Sequence, residues 1–278
     1  MIKYKRARHK IWSVFLLLTL GTAWGVIFFG SLVEPRMLVV NEFEAALNDE
    51  PTGSVRAVVL SDFHLGPYKK SDWARRIVTE TNELKPDIIF LPGDFIFNVS
   101  DQADMLYPLA DLEAPFGVYA VTGNHDYTDN NIGYVIEALK RYGIIVLENE
   151  TQVIETTLGP LSIAGINDLW YDGSALTVLR DVQEEDNVIL LSHNPDVMLS
   201  GLAKPADLVI SGHTHGGQIR LPYYGPVSGL PTLMGREYDR GLKSYEDEQL
   251  FITSGLGEIG PRARLFNPPE IALLIIAF

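Results

Sequence analysis

A chain of 278 residues with 46% hydrophobic content can bury one substantial core, with room for an appendage. It has no cysteine, which excludes disulfides, thiolate metal sites and cysteine nucleophiles, so any metal must be held by nitrogen and oxygen. A formal charge of −14 argues against a nucleic-acid partner, whose footprint on a protein is a basic face.

That charge is uneven. Residues 1–36 carry six basic side chains (Lys3, Lys5, Arg6, Arg8, Lys10, Arg36) and one acid, Glu34, leaving 16 basic and 35 acidic residues beyond them, a balance of −19. Residues 11–33 then run for 23 positions without a charge. A helix of that length spans about 30 Å of hydrocarbon. A cleaved signal peptide is the competing reading, but its apolar region usually runs about 7–15 residues and ends at a small-x-small site. Gly30-Ser31-Leu32-Val33 is a poor site of that kind, and Ala7 separates Arg6 from Arg8, against twin-arginine export. The expectation is a retained, single-pass anchor in 1–36 and one domain over 37–278. The basic tail predicts a cytoplasmic N-terminus and an extracytoplasmic domain.

Past Met37 the pattern is α/β. Residues 55–60 read as a buried strand delivering Asp62 and His64, and Ser71-Asp72 as the cap of a helix running to Leu84, before Pro86. A strand over 87–91 ends at Gly93-Asp94, a helix follows over 102–112, and a strand over 117–121 ends at Gly123-Asn124-His125-Asp126. A helix over 132–142 precedes strands at 144–147, 152–157 and 161–165. Residues 188–191 lead into His193, and 207–210 into Gly212-His213-Thr214-His215. The remainder reads as β-rich, with strands near 218–221, 249–253 and 271–276.

Each polar segment therefore follows an apolar strand within about three residues. In open α/β sheets the ligand crevice lies beyond the carboxyl ends of the strands, so these segments should converge. Their chemistry agrees. Alternation along an extended chain predicts that Asp62 and His64 share one face, as should His213 and His215. Gly93 permits close backbone approach, Asp94 has two oxygens to bridge two cations, and Asn124 offers a neutral oxygen. Imidazole with carboxylate suits Mn, Fe or Zn, with Mn the leading expectation, better than Ca or Mg. Two cations about 3.5–4 Å apart would clamp a phosphoryl group and generate a hydroxide for in-line attack.

The series D-x-H, G-D, G-N-H-D, H and G-H-x-H, from Asp62 to His215, resembles the calcineurin-like metallophosphoesterase superfamily. By that resemblance Asp62, His64, Asp94 and His215 would hold the first metal, and Asp94, Asn124, His193 and His213 the second. His125 would be the non-ligand histidine that stabilises the transition state or protonates the leaving group, with Asp126 orienting it. The implied fold is two packed mixed β-sheets flanked by helices, preceded here by one transmembrane helix.

Glu34-Pro35, Leu169-Trp170 after Asn167-Asp168, His193-Asn-Pro-Asp196, Gly212 to Gln218, Gly255-Leu-Gly257 and Pro269-Glu270 extend the resemblance to the YkuE/YaeI branch. That branch often carries Arg where Ser254 stands, which leaves its substrate contacts untransferred. It contains bacterial membrane- or envelope-associated phosphodiesterases and the chlamydial type of UDP-2,3-diacylglucosamine pyrophosphatase, which serves lipid A synthesis. The resemblance thus implies a phosphoester substrate, a nucleotide-linked lipid among the candidates, cleaved by an enzyme of the inner membrane. The nucleotide-lipid belongs on the cytoplasmic face, opposite to the side the basic tail predicts. Two alternatives are an envelope phosphodiesterase or phosphatase acting on a soluble or cell-wall substrate, and a non-catalytic scaffold of the same fold.

Plainer readings account for other features. Residues 255–260 match a dinucleotide fingerprint but are followed by Pro261 and no helix, so that match is rejected. Tyr68, Lys69, Lys70, Arg262 and Arg264 could contact a phosphate or sugar, but read by default as solvated loop residues. Asp126 has a second reading, as a cap of the helix that follows it.

Overall fold

The structure, a computed structural model, describes residues 2–183, 186–246 and 248–278, with side chains from Trp12 onward. The basic side chains of residues 3–10, on which the predicted membrane orientation rests, lie outside the described residues.

In chain order the elements are α1 (Ile2–Phe28), β1 (Val39–Ala46), β2 (Ser54–Val59), α2 (Ser71–Glu83), β3 (Ile88–Pro92), β4 (Val118–Val121), α3 (Ile132–Arg141), β5 (Ile145–Val146), β6 (Glu150–Thr156), β7 (Gly159–Gly165), α4 (Ala175–Leu179), β8 (Val188–Leu191), β9 (Leu208–Ser211), β10 (Arg220–Leu221), β11 (Gly225–Pro226), β12 (Gly241–Tyr245), β13 (Glu248–Ile252) and β14 (Glu270–Ala277). They build two six-stranded mixed sheets, ordered β1-β14-β2-β3-β4-β5 and β12-β13-β9-β8-β7-β6, and a small β10-β11 hairpin.

The central strands read as unbroken apolar runs because both faces are covered. In β2 and β3, Ala57, Val59, Ile88 and Phe90 turn inward against Ile163, Ile189, Leu191 and Ile210 of the other sheet. Val58, Ile89 and Leu91 turn outward beneath Ile77 of α2 and Leu139 of α3. A third cluster, with Val178 of α4 against Val188 and Leu190 of β8, covers the far face of the second sheet. The predicted helix-flanked pair of sheets is the architecture found.

Local departures have local causes. The segment expected as a helix over 102–112 is a 3-10 helix, Ser100–Asp111, with Pro108 inside it. Proline has no N–H to give, which favours a short, tighter coil over a regular α-helix. Ser71 and Asp72 lie in the first turn of α2 instead of capping it; the N-cap is Lys70. Strand β1 carries only a short alternation, Phe43 and Ala45 turned inward between exposed Glu42 and Glu44, and it pairs in parallel with the buried β14.

Helix α1 stands apart. Its apolar side chains point outward, with Leu17 68% and Trp24 71% exposed, and the 25-residue apolar stretch Trp12–Arg36 is long enough to cross a bilayer. Its lower end is built into the domain. After a π-helical turn (Phe29–Val33) and a 3-10 turn (Glu34–Arg36), Glu34 and Pro35 are buried. Arg264 N donates to Gly30 O at 2.8 Å, and Lys69 Nζ donates to Pro35 O. Asn267 bridges the two parts: its backbone N donates to the Glu34 carboxylate, while its side-chain Nδ2 donates to His215 O at 2.6 Å.

Candidate active site

Five strands of the two sheets end at one edge, and each delivers a polar residue just beyond its last paired position. β2 leads to Asp62 and His64, β3 to Asp94, β4 to Asn124, β8 to His193, and β9 to His213 and His215. The structure brings these residues together as the strand ends predict, but not through an extended backbone. Asp62 (φ 54°), His64 (φ 43°), Asp94 (φ 57°), His213 (φ 69°) and His215 (φ 51°) all occupy the left-handed region. The expectation that alternation puts Asp62 with His64, and His213 with His215, is therefore corrected: left-handed turns aim them. Such conformations cost on the order of 1–3 kcal/mol each for a non-glycine residue and persist only where the surroundings over-determine them. Gly93, also left-handed (φ 83°), fits because a Cβ there would meet Gly123 N at 2.5 Å and His193 Nδ1 at 2.9 Å.

The donors fall into two groups. Asp62, His64, Asp94 and His215 each place one ligand atom within 4.8 Å of the others, and Asp94, His193 and His213 do the same. Asp94 belongs to both, with Oδ2 3.5 Å from His64 Nε2 and 3.2 Å from His193 Nε2. Imidazole nitrogens face one another, His64 Nε2 with His215 Nε2 at 3.0 Å and His193 Nε2 with His213 Nδ1 at 3.1 Å. Lone pairs so opposed require a proton or a cation between them. The buried oxygen Asn124 Oδ1 has no hydrogen-bond partner, as a ligand oxygen awaiting a cation would. This donor set fits divalent cations.

Neighbouring backbone fixes the rings. His64 Nδ1–H donates to Ile96 O (3.3 Å), and His193 Nδ1–H to Pro92 O (2.7 Å), which turns each Nε2 inward. Burial pushes His64 and His213 down to about 3, so both are neutral, the form that binds metal. Burial also opposes charge on His193, but the Asp94 carboxylate outweighs it and raises that ring to about 10. Conversely, burial acts to raise Asp94, and His193 with His64 hold it well below the carboxylate range.

His125 lies beside the groups, not in them. Its ring meets His64 edge-on at 4.8 Å, its backbone N donates to Asp94 Oδ1 at 2.8 Å, and its Nδ1–H donates to Phe97 O at 2.9 Å. That bond orients the ring and leaves Nε2 for a substrate. The orienting role expected of Asp126 is corrected accordingly. Its buried carboxylate accepts backbone N–H groups from Asp94 (3.1 Å), Phe95 (2.9 Å), Ile96 (3.3 Å) and Gly123 (2.9 Å), clamping two ligand loops together.

A cavity of about 470 Å³ opens over Asp94, Asn124, His125 and His213, with Trp170, Ile219, Val227 and Ile259 on its walls. Trp170 stands edge-on to His213 at 5.0 Å, and buried Asp168 has an oxygen without a partner. Neither had been singled out as a site residue, since only the branch-like Asn167-Asp-Leu-Trp170 string marked them. Two of the charges read as solvated are not: Lys69 and Arg264 are buried. Arg264 donates to the carbonyls of Ser254 (2.9 Å), Gly255 (3.1 Å) and Gly257 (2.7 Å), bracing the loop behind Asp62. Burial lowers its guanidinium to about 10.

Comparison with known proteins agrees with this geometry. Residues 55–217 match the family model described as calcineurin-like phosphoesterase. YkuE of Bacillus subtilis (strain 168), an uncharacterised metallophosphoesterase, is 30% identical over 92% of this chain and 91% of its own length. The phosphodiesterase YaeI of Escherichia coli (strain K12) is 30% identical over 87% of this chain and 89% of its own. A transmembrane protein with metallophosphoesterase domain from Danio rerio is 32% identical over 87% of this chain and 58% of its own. The chain belongs to the calcineurin-like phosphoesterase family.

Proposed function

We propose that this chain is a membrane-anchored, dinuclear-metal hydrolase of a phosphodiester or pyrophosphate bond in an amphiphilic substrate. The observation that carries the reading is Asp94, whose one oxygen lies 3.5 Å from His64 in one donor group and 3.2 Å from His193 in the other. A carboxylate so placed suits a bridge between two cations. One would be held by Asp62, His64, Asp94 and His215, and the other by Asp94, Asn124, His193 and His213. When bound, such cations polarise phosphoryl oxygens and activate water, and Mn, Fe and Zn all suit this nitrogen and oxygen set. His125 is the candidate general acid, positioned by Phe97 O to give a proton from Nε2 to the leaving oxygen. Asp126 is a positioning residue that acts through the two loops it clamps.

The exposed apolar helix α1, and the uncharged 11–33 stretch of the predicted 1–36 anchor, support membrane attachment, and Danio rerio offers a relative named as a transmembrane protein. Tethering raises the local concentration of substrates that lie in the same membrane. The basic tail favours an extracytoplasmic domain over 37–278 and hence an envelope amphiphile. UDP-2,3-diacylglucosamine, the lipid A precursor, requires the cytoplasmic face. Protease treatment of intact spheroplasts separates the two: digestion of the domain removes the nucleotide-lipid, and protection removes the envelope substrate. The enzyme itself is tested with metal-reconstituted full chain on an aryl phosphodiester, with Mn, Fe and Zn each supplied. Turnover that is lost in His125→Ala at unchanged metal content supports the reading; equal, negligible turnover in both would sink it in favour of a scaffold.

A further inference from the structure

A second cavity, of about 510 Å³, lies behind the β10-β11 hairpin and is bordered by Arg220, Arg236 and Arg240 together with Tyr223, Tyr224 and Phe266. Its place in the fold is fixed by the root of the apolar helix. Arg264 N holds Gly30 O at 2.8 Å, and the next residue, Leu265, accepts from Arg220 N at 2.9 Å and donates to Gln218 O at 3.0 Å. The hairpin, Phe266 and the end of the helix are thus one hydrogen-bonded unit.

Two properties of this corner point to a ligand. The first is charge. Asp239, on the cavity wall, is taken by Arg220 at 2.6 Å. Among the described residues Arg236 and Arg240 have no carboxylate partner: Arg236 reaches the carbonyls of Tyr224 and Pro226, and Arg240 the Asn267 side chain. Glu237 also borders the space, so three guanidiniums face two acids. Burial, and then the charge of Arg220, lower the Arg240 guanidinium, while Glu270, Asp239 and Glu34 act to raise it. Planar guanidinium forks match phosphate oxygens. The second property is the rim. Tyr223 is fully exposed, and Tyr224 and Phe266 are 61% and 55% exposed, an aromatic edge of the kind that settles at a bilayer interface.

We propose that the β10-β11 hairpin and Phe266 rest on the bilayer surface beside the helix root, and that the arginine cavity behind them takes the phosphate of an anionic membrane lipid. The inference rests on the membrane-anchor reading. It adds a lipid site distinct from the catalytic cavity, held by residues to which the phosphoesterase reading gives no task.

The test uses full-length protein, purified in detergent and then placed in nanodiscs. Native mass spectrometry should find phosphatidylglycerol retained one per chain and bound at least tenfold more tightly than phosphatidylcholine, with Arg236→Glu abolishing the preference. Hydrogen exchange on the unmodified chain provides a measurement free of any folding defect: residues 222–225 should be protected in nanodiscs containing phosphatidylglycerol and less so in pure phosphatidylcholine. Equal retention of the two lipids, unaltered exchange at the hairpin, or inorganic phosphate binding as tightly as phosphatidylglycerol overturns the lipid site. Release of the full chain from membranes by alkaline carbonate overturns the anchor reading instead, which keeps the two failures apart.

Discussion

The two donor groups share Asp94 yet are held by different means. In the first, Asp62, His64, Asp94 and His215 are all buried and all sit on left-handed backbone. Arg264 braces the loop behind Asp62, and Asp126 clamps the loop of Asp94. In the second, Asn124 and His193 follow β4 and β8 without such strain, His213 (φ 69°) is left-handed, and Asn124 and His213 border the cavity beside Trp170, as do Asp94 and His215 of the first. The first group is left-handed at every member, the second at Asp94 and His213 alone, and both meet the cavity where a substrate would lie.

Substitutions can break that contrast. Asp94→Ala removes the shared oxygen, so the purified chain should retain neither cation by elemental analysis and show no turnover. His215→Ala and His213→Ala should then differ: the first empties the group that is left-handed throughout, removes the ring facing Asp62 at 3.3 Å and lowers the melting temperature, while the second leaves one cation and a stable fold with little activity. Arg264→Met strands the carbonyls of Ser254, Gly255 and Gly257, and a loss of about 3–5 kcal/mol in urea unfolding is expected for breaking a buried charged network. His125→Ala should lower kcat on the order of 10²–10⁴-fold with both cations retained. Trp170→Ala touches only the open side; losing about 1 kcal/mol of contact should raise KM roughly fivefold and leave kcat and metal content alone.

Much of this was legible in the chain because the strands feeding the site are buried on both faces. Residues 87–91 or 188–191 cannot be mistaken for a polar segment, and the residues they deliver stand out immediately after them. What escaped was whatever depends on three-dimensional surroundings. Strand β1 carries Asn41, Glu42 and Glu44 and exists because β14 offers it an open edge. The left-handed turns at Asp62 and His215 follow from neighbouring loops, since the enrichment of aspartate and histidine at positive φ is too slight to mark single positions. Asp126 stands next to His125 in sequence, and only the fold shows that its carboxylate faces backbone amides instead. Arg264, between Ala263 and Leu265, reads like any loop cation until the carbonyls around it are seen.

Asn267 grips the Glu34 carboxylate with its backbone and the His215 carbonyl with its side chain. One residue therefore couples the turn at the root of α1 to the backbone of a donor histidine. A spanning helix adjusts to the thickness of its membrane by tilting. On the proposed anchor reading, such a tilt would reach the catalytic edge through Asn267 and link bilayer thickness to the direction in which the cavity points.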